Sequence, residues 1–220
     1  MNRLVLQIAI GGGIMLVVLV VSLMLAMGTL THGSKTGGHT MVTSPDAPGG
    51  VLKAHVYDPP RELADLALTD QDGNPFHLGE TGGKVRVIYI GYTNCPDVCP
   101  MTMVNWKTVK KTLGPLADQV SFVMVTADPD HDTPDVMKTF VEAFDQSFIG
   151  LSGSKAELTP VWDQFGARIS RQELPDSAAG YSVTHPSSMF VLAKDGRLTL
   201  KIPYGRTPAE ITEDLRGLLQ

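Results

Sequence analysis

From Leu4 to Leu30 the chain carries no ionisable side chain, and Leu, Val, Ile, Met and Gly dominate the run. A bilayer core takes about 20 apolar residues as a helix, so this stretch predicts a membrane-spanning segment with room for tilt. It exceeds the roughly 7–15 apolar residues of a cleaved secretory signal, which favours a retained signal anchor over residues 1–30. Residues 31–60 are rich in Gly, Thr, Ser and Pro without apolar periodicity. That composition predicts a flexible linker ending in an extended Pro59-Pro60. His32, His39 and Met41 fall in it and read as solvated side chains rather than metal ligands.

Beyond residue 60 the pattern alternates between strand and helix periods. Leu63–Thr69 and Pro75–Leu78 flank Asp70–Asn74, whose Asp and Gly residues predict a hairpin turn. Val85–Tyr92 and Val120–Thr126 are apolar and β-branched, as strands buried on both faces are. Helical spacing runs over Pro100–Leu113. Thr133-Pro134 opens a second helix, with Thr133 as N-cap and Pro134 at the first helical position. Val136, Met137, Phe140, Val141 and Phe144 fall on one face of it. A short strand at Ile149–Leu151 and a helix over Lys155–Phe165 follow. Ser187–Ala193 and Arg197–Ile202 then form a hairpin around Lys194-Asp195-Gly196, and a helix over Thr207–Leu219 closes the chain. This order predicts one α/β domain over residues 61–220. Its form is a thioredoxin-like sandwich with an added N-terminal hairpin, preceded by one transmembrane helix.

Composition narrows the chemistry. With 220 residues, 43% of them hydrophobic, and a net charge of −5, collagen-like, coiled-coil and disordered classes are excluded. The acidic balance argues against nucleic acid as a partner. Two cysteines are too few for a disulfide scaffold or a four-thiolate zinc site. Both lie in Gly91–Pro100, at the carboxyl end of a predicted buried strand, where α/β sheets tend to place their sites. Cys95 and Cys99 each precede a proline, which pushes them toward extended geometry. Pro100 is expected to open the helix and leave Cys99 near its N-cap, where the helix dipole lowers a thiol pKa. Cys-x-x-x-Cys is one residue wider than the redox motif Cys-x-x-Cys. It can close as a disulfide or spread two thiolates around a soft or borderline ion, Cu(I) or Zn(II). A structural bridge is the third reading, although so small a loop constrains the unfolded chain little. Spacing alone leaves all three open.

His185 stands in Val183–Ser188, just before the predicted strand Met189–Leu192. In a thioredoxin-like fold that loop lies beside the cysteine loop. By spacing alone it reads as an ordinary core or surface histidine. Met101 and Met103 are soft donors, but two apart on a helix they cannot share a face, so at least one is expected in the core.

Four segments, GYTNCPDVCP (Gly91–Pro100), ADPDHDTP (Ala127–Pro134), GLSG (Gly150–Gly153) and Val183–His185 ahead of MFVLAKDGRL, resemble the SCO/SenC family in order and spacing. That family comprises membrane-anchored copper proteins needed to assemble cytochrome c oxidase. The resemblance covers residues 60–220. It implies a copper ion, Cu(I) and with further ligands Cu(II), bound by Cys95, Cys99 and His185, with Asp128 close by. It implies a copper chaperone rather than a conventional enzyme, one that delivers copper to, or prepares the thiols of, the oxidase's binuclear copper site. The alternative is an exported thiol-disulfide oxidoreductase using Cys95 and Cys99 as its redox pair. The implied partners are the copper-site subunit of the oxidase and other copper chaperones. The implied location is the cell (inner) membrane, with the domain on the periplasmic side. The chain departs from the family at Pro186, where a small hydroxyl residue is usual. Thioredoxin-like oxidoreductases carry a cis-proline at about this place, so Pro186 lends weight to the alternative.

Overall fold

The computed structural model describes residues 53–177 and 179–220. The signal anchor expected over residues 1–30 lies outside the described residues. Among those described, no helix is long and apolar enough to cross a membrane.

The first strand, β1 (His55–Arg61), already departs from the sequence reading, which placed a linker up to residue 60. It pairs antiparallel with a late strand, and its register shifts between Val56 and Arg61. Pro59 and Pro60 lack an N–H, which an edge strand with an irregular ladder tolerates. The chain continues through β2 (Ala67–Asp70), β3 (Pro75–His77), β4 (Val85–Gly91), α1 (Val98–Leu113), a 3₁₀ turn (Gly114–Gln119) and β5 (Val120–Thr126). Then come α2 (Pro134–Glu142), β6 (Ile149–Ser152), α3 (Lys155–Gln164), β7 (Ser170–Glu173), β8 (Tyr181–Thr184), β9 (Met189–Leu192), β10 (Leu198–Ile202) and α4 (Pro208–Leu219).

Among the described residues, eight strands form one sheet in the order β1-β10-β9-β4-β5-β6-β2-β3, while β7 and β8 pair only with each other. The β4-α1-β5 and β5-α2-β6 units make the parallel centre, and antiparallel strands flank it on both sides. This is the predicted thioredoxin-like α/β arrangement with its added hairpin, β2–β3. The β7–β8 hairpin is additional to the prediction. Its first strand, Ser-Arg-Gln-Glu, is exposed throughout, so it carries no apolar alternation to read.

All seven residues of β4 are buried, Arg86 included. Its guanidinium donates to the carbonyls of His77, Leu78 and Glu80 and lies 4.7 Å from the Phe76 ring centre. Burial lowers its pKa to about 10, and the carbonyl cage satisfies its N–H groups. Thr133 caps α2 through the Val136 N–H, with Pro134 at the helix start. Ser154 and Thr207 form capping boxes with Glu157 and Glu210 at α3 and α4. Beneath α1, Trp106, Phe122 and Phe148 pack with ring centres 5.3–5.6 Å apart. Of the five apolar residues expected on one face, Phe144 falls past the end of α2, and only Met137 and Val141 are fully buried.

Candidate metal centre

The site forms where β4 hands over to α1. The helix begins at Val98 rather than Pro100, so Cys99 sits inside the first turn instead of at the N-cap. A proline is tolerated in a first helical turn because its missing N–H would have had no partner there. Cys99 is fully buried, and Cys95 is partly exposed in the loop before the helix.

His185 approaches from the end of β8. Its Nε2 lies 3.7 Å from the Cys99 Sγ, and the two residues are 86 positions apart in sequence. Cys95, Cys99 and His185 bring their donor atoms within 4.8 Å of one another. The imidazole Nδ1 is 3.1 Å from the Pro186 carbonyl oxygen. A carbonyl only accepts, so Nδ1 carries a proton and donates to it, and Nε2 is the ring nitrogen that faces the sulfurs. Two tyrosines clamp the ring edge-on, Tyr89 at 5.8 Å and Tyr92 at 5.7 Å between ring centres. The Tyr89 hydroxyl in turn stands 3.5 Å from the Cys99 Sγ.

The two thiols are electrostatically unequal. Cys95 is held far below the ordinary thiol pKa: the Cys99 thiol donates to it, and His185 and the N–H groups of Asp97 and Cys99 add to this against the cost of burial. Cys99 is pushed up, because it supplies the proton shared with Cys95 and because it is buried. The sequence reading placed the low pKa on Cys99 through the helix dipole. The structure reverses this, because the Cys99 thiol donates to the Cys95 sulfur and the N–H groups of Asp97 and Cys99 also meet that sulfur.

Gly91 makes the sulfur–tyrosine contact possible. A Cβ built there would stand 2.6 Å from the Tyr89 ring and 3.0 Å from the Cys99 Sγ. Met103 is fully buried in the core, as expected for one of the two methionines, and Met101 is exposed beside the site. Pro186 follows a trans peptide bond, since Asp58–Pro59 is the sole cis bond among the described residues. It therefore lacks the geometry of the oxidoreductase cis-proline, and the weight it lent to that alternative falls away.

Asp128 is not among the residues that converge on the sulfurs. Its buried carboxylate accepts from the Tyr181 hydroxyl at 2.5 Å and pairs with Arg171 at 3.5 Å. The neighbouring Asp132 fastens the cysteine loop, accepting from the Thr93 hydroxyl at 2.6 Å, its N–H at 3.1 Å, and the Thr126 hydroxyl at 2.7 Å. Tyr89, Tyr92, Tyr181, Arg171 and Gly91 all shape the site, yet only Gly91 and Tyr92 stood in a motif of the sequence reading, and neither had a role assigned there. A tyrosine in a buried strand reads as core, and the Gly91 requirement is steric.

The donor set is two thiols and one neutral imidazole. Soft thiolates and an imidazole suit Cu(I) or Zn(II) and are poor hosts for hard ions such as Mg²⁺ or Ca²⁺.

The profile of the SCO1/SenC family matches residues 57–220. The SCO2-like protein of Rickettsia felis is 31% identical over 153 residues, covering 70% of this chain and 75% of that one. The copper-bound structure of ScoI from Bradyrhizobium japonicum superposes with a TM-score of 0.64 at 32% identity, covering 70% of this chain and 98% of that one. The apo Sco1 solution structure from Thermus thermophilus gives a TM-score of 0.68 at 30% identity, with 78% and 99% coverage. With the family profile spanning the whole α/β domain, the chain belongs to the SCO1/SenC family.

Proposed function

We propose that the domain binds copper through Cys95, Cys99 and His185 and serves the assembly of cytochrome c oxidase. In this reading it carries copper to the oxidase's binuclear copper site or prepares the thiols of that site. The observation that carries the reading is the convergence of two sulfurs and an imidazole nitrogen within 4.8 Å. Two thiolates and a neutral imidazole would hold Cu(I) with a net charge of −1, leaving low coordination and room for further ligands to Cu(II). Partly exposed Cys95 gives an acceptor thiolate a side from which to enter, so copper passes by ligand exchange. The relatives support the metal: ScoI of B. japonicum is described with copper bound, and the Sco family is described as cytochrome c oxidase assembly proteins. Residues 1–30 would anchor the protein in the inner membrane, and the linker would present the domain on the periplasmic side. There it meets the copper-site subunit and other copper chaperones.

The low pKa of Cys95 favours one second reading, thiol-disulfide exchange. The Cys95 thiolate attacks a client disulfide, and Cys99 loses its proton to solvent and resolves the mixed disulfide. The client leaves as a dithiol, and a Cys95–Cys99 disulfide remains. The proposed copper role is tested by anaerobic Cu(I) titration of the reduced protein, then exposure to a copper-free oxidase fragment. One copper per chain is expected, with a loss of about tenfold or more in affinity for His185→Ala. Undiminished affinity in that variant removes His185 from the site. Disulfide formation without copper transfer favours the exchange reading.

A further inference from the structure

His185 follows directly on β8, the inner strand of the β7–β8 arm, which buries Val183 in the core. β7 and β8 hydrogen-bond to no third strand, and β7 is exposed throughout. A two-stranded hairpin alone is marginally stable in water, so side-chain contacts must fix where it lies. Besides the apolar burial of Val183, the charged contacts that do so converge on Tyr181, at the start of β8. Its hydroxyl donates to the buried Asp128 carboxylate at 2.5 Å, and the Arg171 guanidinium lies 3.6 Å over its ring. Asp128 is itself fixed at the end of β5 by its N–H bond to the Thr126 hydroxyl at 2.8 Å. Asn94, in the cysteine loop, adds a hydrogen bond to the Ala179 carbonyl at 3.2 Å. From Tyr181 the rings run in a continuous row: Tyr92 at 6.4 Å, His185 at 5.7 Å beyond it, then Tyr89 at 5.8 Å. The row ends at the Cys99 sulfur, 3.5 Å from the Tyr89 hydroxyl.

We propose that Tyr181, clamped between the Asp128 carboxylate and the Arg171 guanidinium, is a positioning residue for His185. It latches the β7–β8 arm to the central sheet and so holds the imidazole Nε2 over the cysteine pair. Asp128 acts through this latch and touches no metal donor. The arm is then a hinged carrier of one ligand, while the two sulfurs belong to the rigid β4–α1 junction. Releasing the latch frees the histidine and leaves the thiols in place. The consequence for copper rests on the proposed copper site; the positioning itself does not.

Two measurements on the full-length protein with Tyr181→Phe test this, since the variant keeps the ring and loses only the hydroxyl. The first uses reduced, metal-free protein and reads the His185 ring nitrogens by long-range proton–nitrogen correlation. Wild type is expected to show one sharp set of ring-nitrogen signals, and Tyr181→Phe and Asp128→Asn a shifted or averaged set, with amide resonances outside the β7–β8 arm and its contacts unmoved. An unchanged His185 signal in either folded variant overturns the proposal. Should Tyr181→Phe fail to fold, Arg171→Met, altered at an exposed side chain, is expected to move the same signal in the same direction; no movement overturns the proposal.

The second is competitive anaerobic Cu(I) titration. Tyr181→Phe is expected to lose about tenfold in affinity, as outer-shell changes at metal sites do. In a His185→Ala background the same change is expected to cost nothing further. Additive losses overturn the proposal, because they would mean that Tyr181 acts on the thiols or on the fold. If His185→Ala alone leaves copper affinity intact, the copper reading fails, and the ring-nitrogen measurement still decides the positioning role.

Discussion

Gly91→Ala isolates the packing on which the site depends. The position is the last residue of β4, and its backbone lies outside the left-handed region, so an alanine is sterically free to adopt it. On chain-entropy grounds the change would stabilise the fold by about 0.4–1 kcal/mol. The new methyl, however, would stand 2.6 Å from the Tyr89 ring and 3.0 Å from the Cys99 Sγ. Tyr89 is fully buried, with Trp106 at 6.3 Å and His185 at 5.8 Å between ring centres, so its ring cannot swing into open space. It must move by roughly 1 Å to restore van der Waals contact, and overpacking of this kind costs about 1–3 kcal/mol. Midpoint against midpoint, the two terms leave a net destabilisation of ~1.3 kcal/mol. For a domain of this size that lowers Tm by about 3–5 °C. The displacement also pushes Tyr89 against His185 and off the Cys99 sulfur, so Cu(I) affinity falls in the same variant. Calorimetry of reduced, metal-free protein and anaerobic copper titration measure the two effects. A Tm equal to or above wild type would refute the steric argument, since it would mean the entropic term prevails and the junction is loosely packed.

Three further outcomes follow from the structure. At about pH 6, where an ordinary thiol is almost wholly protonated, iodoacetamide should modify Cys95 and leave Cys99 intact, as read by peptide mass spectrometry. In Cys99→Ala the Cys95 thiolate loses its leading hydrogen-bond donor, so its pKa rises and the alkylation midpoint moves to higher pH; an unmoved midpoint would sink this account of the thiolate. Arg86→Met removes the donor to three carbonyls in a buried setting and should destabilise by about 2–4 kcal/mol, seen as a lower urea midpoint at unchanged m-value. A change under about 0.5 kcal/mol would show the cage to be dispensable.

The readable parts of the fold were those in which burial is periodic. β5 has the predicted bounds, and the Thr133 cap falls where Thr-Pro placed it, because capping chemistry is local. β1 was taken for linker because its prolines signal irregular backbone, and its pairing with β10 is visible only in three dimensions. β7 was missed because an arm that faces solvent on all sides writes no hydrophobic pattern. At the site, Cys95, Cys99 and His185 were named in advance, His185 through family resemblance, as no local spacing joins residues 86 positions apart. The division of charge between the two thiols was misread. It depends first on the Cys99 thiol donating to Cys95, a side-chain contact that spacing does not reveal, and only then on the N–H groups at the helix start.

The ends of the large sheet bear on how such domains coexist at high density. An open edge strand offers a row of unpaired N–H and C=O groups to the next copy, the route to edge-to-edge aggregation. Here one edge is β1, with Pro59 and Pro60 in its second half, and the other is β3, three residues long and opening on Pro75. Prolines offer no N–H to an incoming strand, and so short an edge gives it little length to pair with. The same two prolines that look like linker in the sequence thus act as a guard against self-association. Replacing them with strand-forming residues would leave the metal centre intact while giving neighbouring molecules a template for polymerisation.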